Sequence, residues 1–301
     1  MIIQKNNYDI PDFLNEQFFK NAVENKVGSK NFELTSLDFS MGCDRKEFAE
    51  MDIFEKEKLM YCDIIPRIAS CLVNIKTAPK CYYVMDEPMA NYGQYHAGSL
   101  LLLEKEPSLR ESENLKHGIF SSLSFSKANM TTMPYLNLSR LIDHASKWPG
   151  YEKIVNKLKD FLTNKTFLNK VVENIRISPG DIVAICHEDC WVNNILFQYK
   201  GNSVTDALLI DFQGCTRGSI GLDIIFFFTV NAELNVLRQD RDQLIEEYYY
   251  PAFRTSLEQG SYKNIPTIQD VKNEVKKKAM FGLFGAVLGL TFYLNEKRRQ
   301  T

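Results

Sequence analysis

Three short apolar runs, set between polar turns across residues 181–223, constrain this chain more than any other feature. Asp181-Ile182-Val183-Ala184-Ile185-Cys186 breaks into His187-Glu188-Asp189-Cys190-Trp191-Val192-Asn193-Asn194. Ile195-Leu196-Phe197 follows, then the turn Lys200-Gly201-Asn202-Ser203, then Ala207-Leu208-Leu209-Ile210, which stops at Asp211-Phe212-Gln213-Gly214. Apolar runs of this length bounded by turn formers read as buried strands. Their ends then gather His187, Asp189, Asn194 and Asp211 in one place, so the chain must close a small sheet around a polar centre.

The order His-x-Asp-x-x-x-x-Asn, strand, turn, strand, Asp-Phe carries a mechanism. Phosphoryl transfer needs a carboxylate beside the acceptor hydroxyl and metal ligands at the phosphates. Asp189 is placed to take the hydroxyl proton, and Asn194 and Asp211 offer hard oxygen ligands of the kind magnesium prefers. His187 is expected to buttress the loop by hydrogen bonding. Isolated Asp and Asn residues between strands are often only turn formers, but here four positions agree in type, order and spacing. Cys186, His187 and Cys190 resemble a metal clip, yet no second ligand pair follows at zinc spacing. Asp223 is expected to cap the following helix and brace the loop.

Composition adds exclusions. A formal net charge of −2 over 301 residues gives no basic field for nucleic acid. Seven cysteines are too few for a disulfide scaffold in a chain of this length, and Met1-Ile2-Ile3-Gln4-Lys5 has no signal-peptide pattern. Reduced thiols and a cytoplasmic location follow as expectations. Residues 279–294 carry no charge and lie between Lys276-Lys277-Lys278 and Lys297-Arg298-Arg299. A membrane span needs about 20 apolar residues, so this segment is expected to be a buried or half-buried helix, with Gly282, Gly285 and Gly289 allowing close packing, rather than an anchor.

The remaining pattern is mostly helical. Residues 8–27 read as a helix, 32–40 as a strand, and 81–85 as another strand. Phe54, Tyr61, Ile65, Ile68 and Leu72 form a helical stripe that Pro66 should kink. Further helices are expected from Met89 to about Glu104, over 135–148 and 151–174, and then over 224–235, 239–259 and 267–293, with Thr267 as an N-terminal cap to Asp270. The class is α+β: a small N-terminal lobe, 1–89, and a larger mainly helical lobe, 90–301, carrying the hairpin of residues 181–223.

At these motifs the sequence resembles the choline-kinase-like group that includes the ecdysteroid kinase-like proteins of insects. The resemblance lies in His187 to Phe197, Leu209-Ile210-Asp211-Phe212-Gln213 and Gly221-Leu222-Asp223, with Phe54 to Tyr61, Ile65-Pro66 and Gln94 to Ser99 in support. It implies a protein-kinase-like fold of the aminoglycoside/choline kinase type and transfer of phosphate from ATP, with Mg2+, to a hydroxyl of a small steroid or xenobiotic. It carries over Asp189 as base, Asn194 and Asp211 as magnesium ligands, and Glu57 as the helix glutamate that pairs with a strand lysine. Neither a nucleic-acid nor a membrane partner is implied.

The sequence departs from that pattern in several places. Glu188 stands where glycine is usual. The glycine-rich hairpin and lysine strand expected around residues 39–46 are missing, since Gly42 is the only glycine between Gly28 and Gly93. Lys46 and Lys56 read as solvated helix charges, which leaves Glu57 without its lysine. The linker at 85–89 and the C-terminal end are short, a pattern expected of skipped exons or an incomplete gene model. The alternative to an active kinase is therefore an impaired pseudokinase or incomplete isoform that acts by binding.

Overall fold

The computed structural model describes residues 56–57, 59–72, 86–120, 131–200, 203–234 and 236–299, all of which fall within a compact unit spanning 47–301. The sequence expectations for 8–27, 32–40, the region around 39–46 and 81–85 lie outside the described residues.

Near the start of this unit a π-turn, Met60–Ile64, runs into helix α1, Ile65–Ser70. The wider turn sits immediately before Pro66, whose ring would collide with the carbonyl four residues back and which has no amide to give. The expected kink is thus taken up as a change of helical pitch. Met60, Ile64 and Ile68 point into the core.

Helix α2, Asp86–Lys105, is the central strut. It packs on β1, β3 and a C-terminal helix, and Met89, Tyr92, Ala97 and Leu100 to Leu103 are all buried. A helix apolar on several faces has to be surrounded. Its closest crossing is at Gly93, where an added Cβ would stand 2.3 Å from the Tyr249 carbonyl oxygen and 3.0 Å from the Phe253 amide. Neither backbone can retreat without moving a helix. We expect Gly93→Ala to lower unfolding free energy by about 1–3 kcal/mol, readable as a shifted urea midpoint with an unchanged slope; an unaltered midpoint would show that the crossing is loose.

Three amphipathic helices follow: α3 (Thr132–Ala145), α4 (Glu152–Thr163) and α5 (Phe167–Ile175). The single helix expected over 151–174 is in fact two. The chain turns at Asn164-Lys165-Thr166, with Lys165 at φ 51°, so that Phe167, Leu168 and Val171 can be buried.

The sheet elements are two antiparallel pairs. Strand β1 (Val183–Cys186) pairs with β4 (Thr216–Ser219) in the register Val183↔Ser219 to Cys186↔Thr216. Strand β2 (Ile195–Lys200) pairs with β3 (Ser203–Leu209), Ile195 opposite Leu209, with an irregularity at Gln198/Tyr199. Strand β4 was not expected from the sequence.

Helix α6, Ile220–Asn231, is buried from Ile220 through Phe228. It is capped by the Ser219 side chain, which accepts from the Gly221 amide. This corrects the expectation that Asp223 is the cap, because Asp223 lies inside the helix. Short turns lead through α7 (Arg241–Leu244) and a π-turn (Ile245–Tyr249) to α8 (Tyr250–Gln259). The helix expected over 267–293 is broken at Lys278 into α9 (Ile268–Lys277) and α10 (Ala279–Arg299). Thr267 and Asp270 form the full reciprocal cap. Buried Lys278 donates to Asp181 Oδ2 at 3.0 Å and to the Asn174 and Arg176 carbonyls, both at 3.1 Å. A buried ammonium needs this many partners, and meeting them interrupts the helix.

Helix α10 lies on α6, with Gly282 against Ile225 and Gly285 against Phe226. Its glycines serve helix packing. Among the described residues no helix is long and apolar enough to cross a membrane.

Candidate active site

The segment between β1 and β2 holds the predicted loop in place by its backbone. The Ile210 amide donates to the Asn194 carbonyl at 3.0 Å and the Ile220 amide to the Ile182 carbonyl at 3.0 Å, tying the start of β2 to the end of β3 and β1 to the head of α6. Asn194 is buried, and its side-chain amide donates to the Asp189 carbonyl at 2.8 Å and to Asp189 Oδ2 at 3.0 Å. Asn194 Oδ1 is therefore the atom left for a cation. His187 Nδ1 accepts from the Asp189 amide at 3.3 Å, while Nε2 donates to the Ile210 carbonyl at 2.8 Å. Burial lowers the imidazole pKa below its ordinary value, in keeping with a neutral ring that receives on one nitrogen and gives on the other. Its ring also packs 4.8 Å from that of Phe212.

Asp211 has φ 64° and ψ 64°. Its amide donates to the Tyr61 hydroxyl at 3.1 Å, and its Oδ2 accepts from the Gln213 side chain at 3.2 Å. Tyr61 sits edge-on to Phe212 at 5.4 Å, so the segment just before α1 clamps the Asp211-Phe212 corner. In the sequence Tyr61 stands in a helical stripe and in the matched run Phe54 to Tyr61, neither of which marks it as a partner of Asp211.

Three acids press on this centre. Asp189 is raised to about 7, first by burial and then by the Asp211 charge, against the favourable Asn194 contact. Glu57 is likewise raised to about 7 by burial and then by Asp211. Asp211 is raised to about 6 by burial, offset by the Gln213 backbone. Like charges held out of water favour a shared cation or retained protons. The donors present, three carboxylates and a carboxamide oxygen, fit a hard divalent ion. Glu57 was expected to pair with a strand lysine; among the described groups, the one that acts on it most is Asp211.

Behind the loop, Asp223 is buried within a network. Its Oδ2 accepts from the His187 amide at 2.7 Å and His96 Nε2 at 3.0 Å, and its Oδ1 from the Glu188 amide at 2.8 Å. His96 Nδ1 in turn meets the Tyr249 hydroxyl at 2.8 Å. Burial alone would raise the Asp223 carboxyl; His96, with His187, outweighs that and holds it below its ordinary value. The bracing role expected of Asp223 is what the geometry shows. His96 as its partner, and Tyr249 behind His96, are not legible in the sequence. His96, Cys186 and Asp223 offer ligand atoms within 4.8 Å of one another, but these donors serve the internal network: Cys186 Sγ donates to the Ser219 carbonyl and Cys190 Sγ to the Asp223 carbonyl. The sulfur clip considered from the sequence thus has structural work already.

Glu188 has φ 63°, the left-handed region that favours glycine. Its side chain is buried against Gly118, where an added Cβ would lie 1.7 Å from Glu188 Oε2. Lys56 is not a solvated charge, contrary to expectation: it is half-buried and donates to the His117 carbonyl.

A paired-strand centre with this loop, set in a mainly helical lobe, is the arrangement of a kinase-like protein. A family model described as the ecdysteroid kinase-like family matches residues 85–262, and the chain belongs to that family. A solved choline kinase from Cryptosporidium parvum Iowa II is similar at 15% identity and a TM-score of 0.39, over 87% of this chain and 80% of that one. No curated protein matches the sequence.

Proposed function

We propose that this chain transfers the terminal phosphoryl group of ATP to a hydroxyl of a small organic molecule. The observation that supports the reading is the hold of the Asn194 side chain on Asp189, with the Asp211 charge acting on the same carboxylate. In this reading Asp189 orients the acceptor hydroxyl and receives its proton as the oxygen bonds to the terminal phosphorus, whose bond to the bridging oxygen breaks so that ADP leaves. Asn194, through Oδ1, and Asp211 are the residues that would hold magnesium, which would supply charge neutralisation at the phosphates. His187 keeps the loop in register through its two ring nitrogens. The family's description supports an acceptor of steroid type. The free thiols Cys62, Cys71, Cys186, Cys190 and Cys215 suit the reducing cytoplasm. We also propose that residues 1–89 form the smaller lobe and 90–301 the larger.

A second reading is supported by Glu57, on which, among the described groups, Asp211 acts most. In that reading the chain binds a small molecule without turnover. Thermal unfolding with millimolar MgATP separates the two. Saturating nucleotide at 100 times its Kd adds about 2.7 kcal/mol, so a clear magnesium-dependent rise in Tm is expected, and Asp211→Ala should abolish it. An unmoved Tm at millimolar MgATP favours the binding module.

A further inference from the structure

A cavity of about 380 Å³ is lined by Glu188 but by none of Glu57, Asp189, Asn194 and Asp211, and nothing in the phosphotransfer reading uses it. Its lining is partly aliphatic, from Val172, Ile175 and Ile177, and partly charged, from Glu188, Arg217 and Arg176. Among the described residues four buried side-chain polar atoms lack a hydrogen-bond partner, and two of them, Glu188 Oε2 and Arg217 Nε, belong to side chains lining this one cavity. Glu188 is 3% exposed. Buried polar atoms are ordinarily satisfied, and an orphan calls for a reason.

These two orphans are opposite in kind. One is a carboxylate oxygen and the other a guanidinium N–H, and they line the same cavity without forming an ion pair. Lys116, at the rim, is already engaged by Glu113 at 2.9 Å. A ligand that satisfied both orphans would bring a cationic donor for Glu188 and an anionic acceptor for Arg217. The aliphatic part of the lining would take an apolar body between them.

We propose that this cavity binds a small organic zwitterion with an aliphatic body, the simplest being an apolar α-amino acid. Its ammonium would meet Glu188, its carboxylate Arg217 and Arg176, and its side chain Val172, Ile175 and Ile177. Guanidinium–carboxylate recognition of this sort is charge-assisted and geometrically selective. The Glu188 carboxyl already has the Phe120 backbone and the Lys56 charge as neighbours, and Oε2 is the atom left for the ammonium. Glu188 precedes Asp189, so occupancy would also bear on the loop that holds the proposed base.

Calorimetric titration of the full chain, without nucleotide or magnesium, tests the site independently of phosphoryl transfer. The probes are L-leucine, 4-methylpentanoate, which lacks the ammonium, and isoamylamine, which lacks the carboxylate. Leucine should bind saturably, and each truncated analogue about tenfold more weakly or worse. Glu188→Gln should weaken leucine and the amine but not the acid, and Arg217→Gln leucine and the acid but not the amine. Should either variant fail to fold, leucine must still slow amide exchange at residues 116–118 and 172–177 of the unmodified chain. The proposal is overturned if leucine shows no saturable binding, if the plain acid binds as tightly, or if protection falls elsewhere.

Discussion

Asp223→Ala should cost the protein about 3–5 kcal/mol of unfolding free energy, the scale seen when one partner of a buried charge pair is removed. The carboxylate is fully buried and accepts from His96, from the His187 amide and from the Glu188 amide. Alanine leaves those three donors facing a dry cavity, and each buried unsatisfied donor costs about 1–3 kcal/mol. Two of them are backbone amides of the loop itself, so the loss falls on the segment that positions Asp189. Tyr249→Phe makes the graded comparison: it deprives only His96 Nδ1 of its hydroxyl and should cost about 1 kcal/mol. Urea unfolding monitored by circular dichroism reads both. A loss below about 1 kcal/mol in Asp223→Ala would mean that water or a rearranged loop satisfies the donors, and that the network is not the brace it resembles.

That network also shows where sequence and structure part. The hairpin and its loop were legible because their signals are local: apolar runs of strand length, turn formers between them, and polar residues at fixed spacing. Pro66 announced its own kink. Strand β4 was hidden because Thr216-Arg217-Gly218-Ser219 has no apolar alternation; it is a strand because β1 offers it a partner 33 residues back. The breaks at 164–166 and at Lys278 fall inside stripes that continue unbroken, and only packing on α6 and α10 and the buried demands of Lys278 decide them. Asp223 was marked by its place after Gly221, but its partner His96 lies 127 residues away, and Tyr249, which bonds His96 in turn, lies 153 residues from that histidine. No periodicity connects such positions. Lys56 likewise looked like any surface lysine until the His117 carbonyl met it.

Asp189→Asn should act in two opposite directions, and the opposition separates a working acid from a structural one. Asp189 and Glu57 are raised to about 7, Asp211 to about 6 and Glu188 to about 8, each first by burial. In the unfolded chain such groups ionise near 4. Between those values the folded state therefore holds more protons on these four acids, so the stability they contribute without metal is fully present below about pH 4 and is lost as pH rises from about 4 to about 8. We expect Tm to drop by about 5 °C or more between pH 5.5 and 8, and magnesium to restore more at pH 8 than at 5.5, because it competes with the retained protons. Asn at 189 keeps an oxygen for the Asn194 amide and removes one of the repelling charges. At pH 8 the variant should thus be more stable than the parent by about 1–3 kcal/mol, with a shallower pH slope. Its phosphoryl transfer, followed by ADP release with a sterol acceptor, should fall about 10²- to 10⁴-fold, the usual contribution of a positioned base. Residues that serve chemistry are held at a cost in stability. A variant that is both less stable at pH 8 and equally active would place Asp189 among the turn formers.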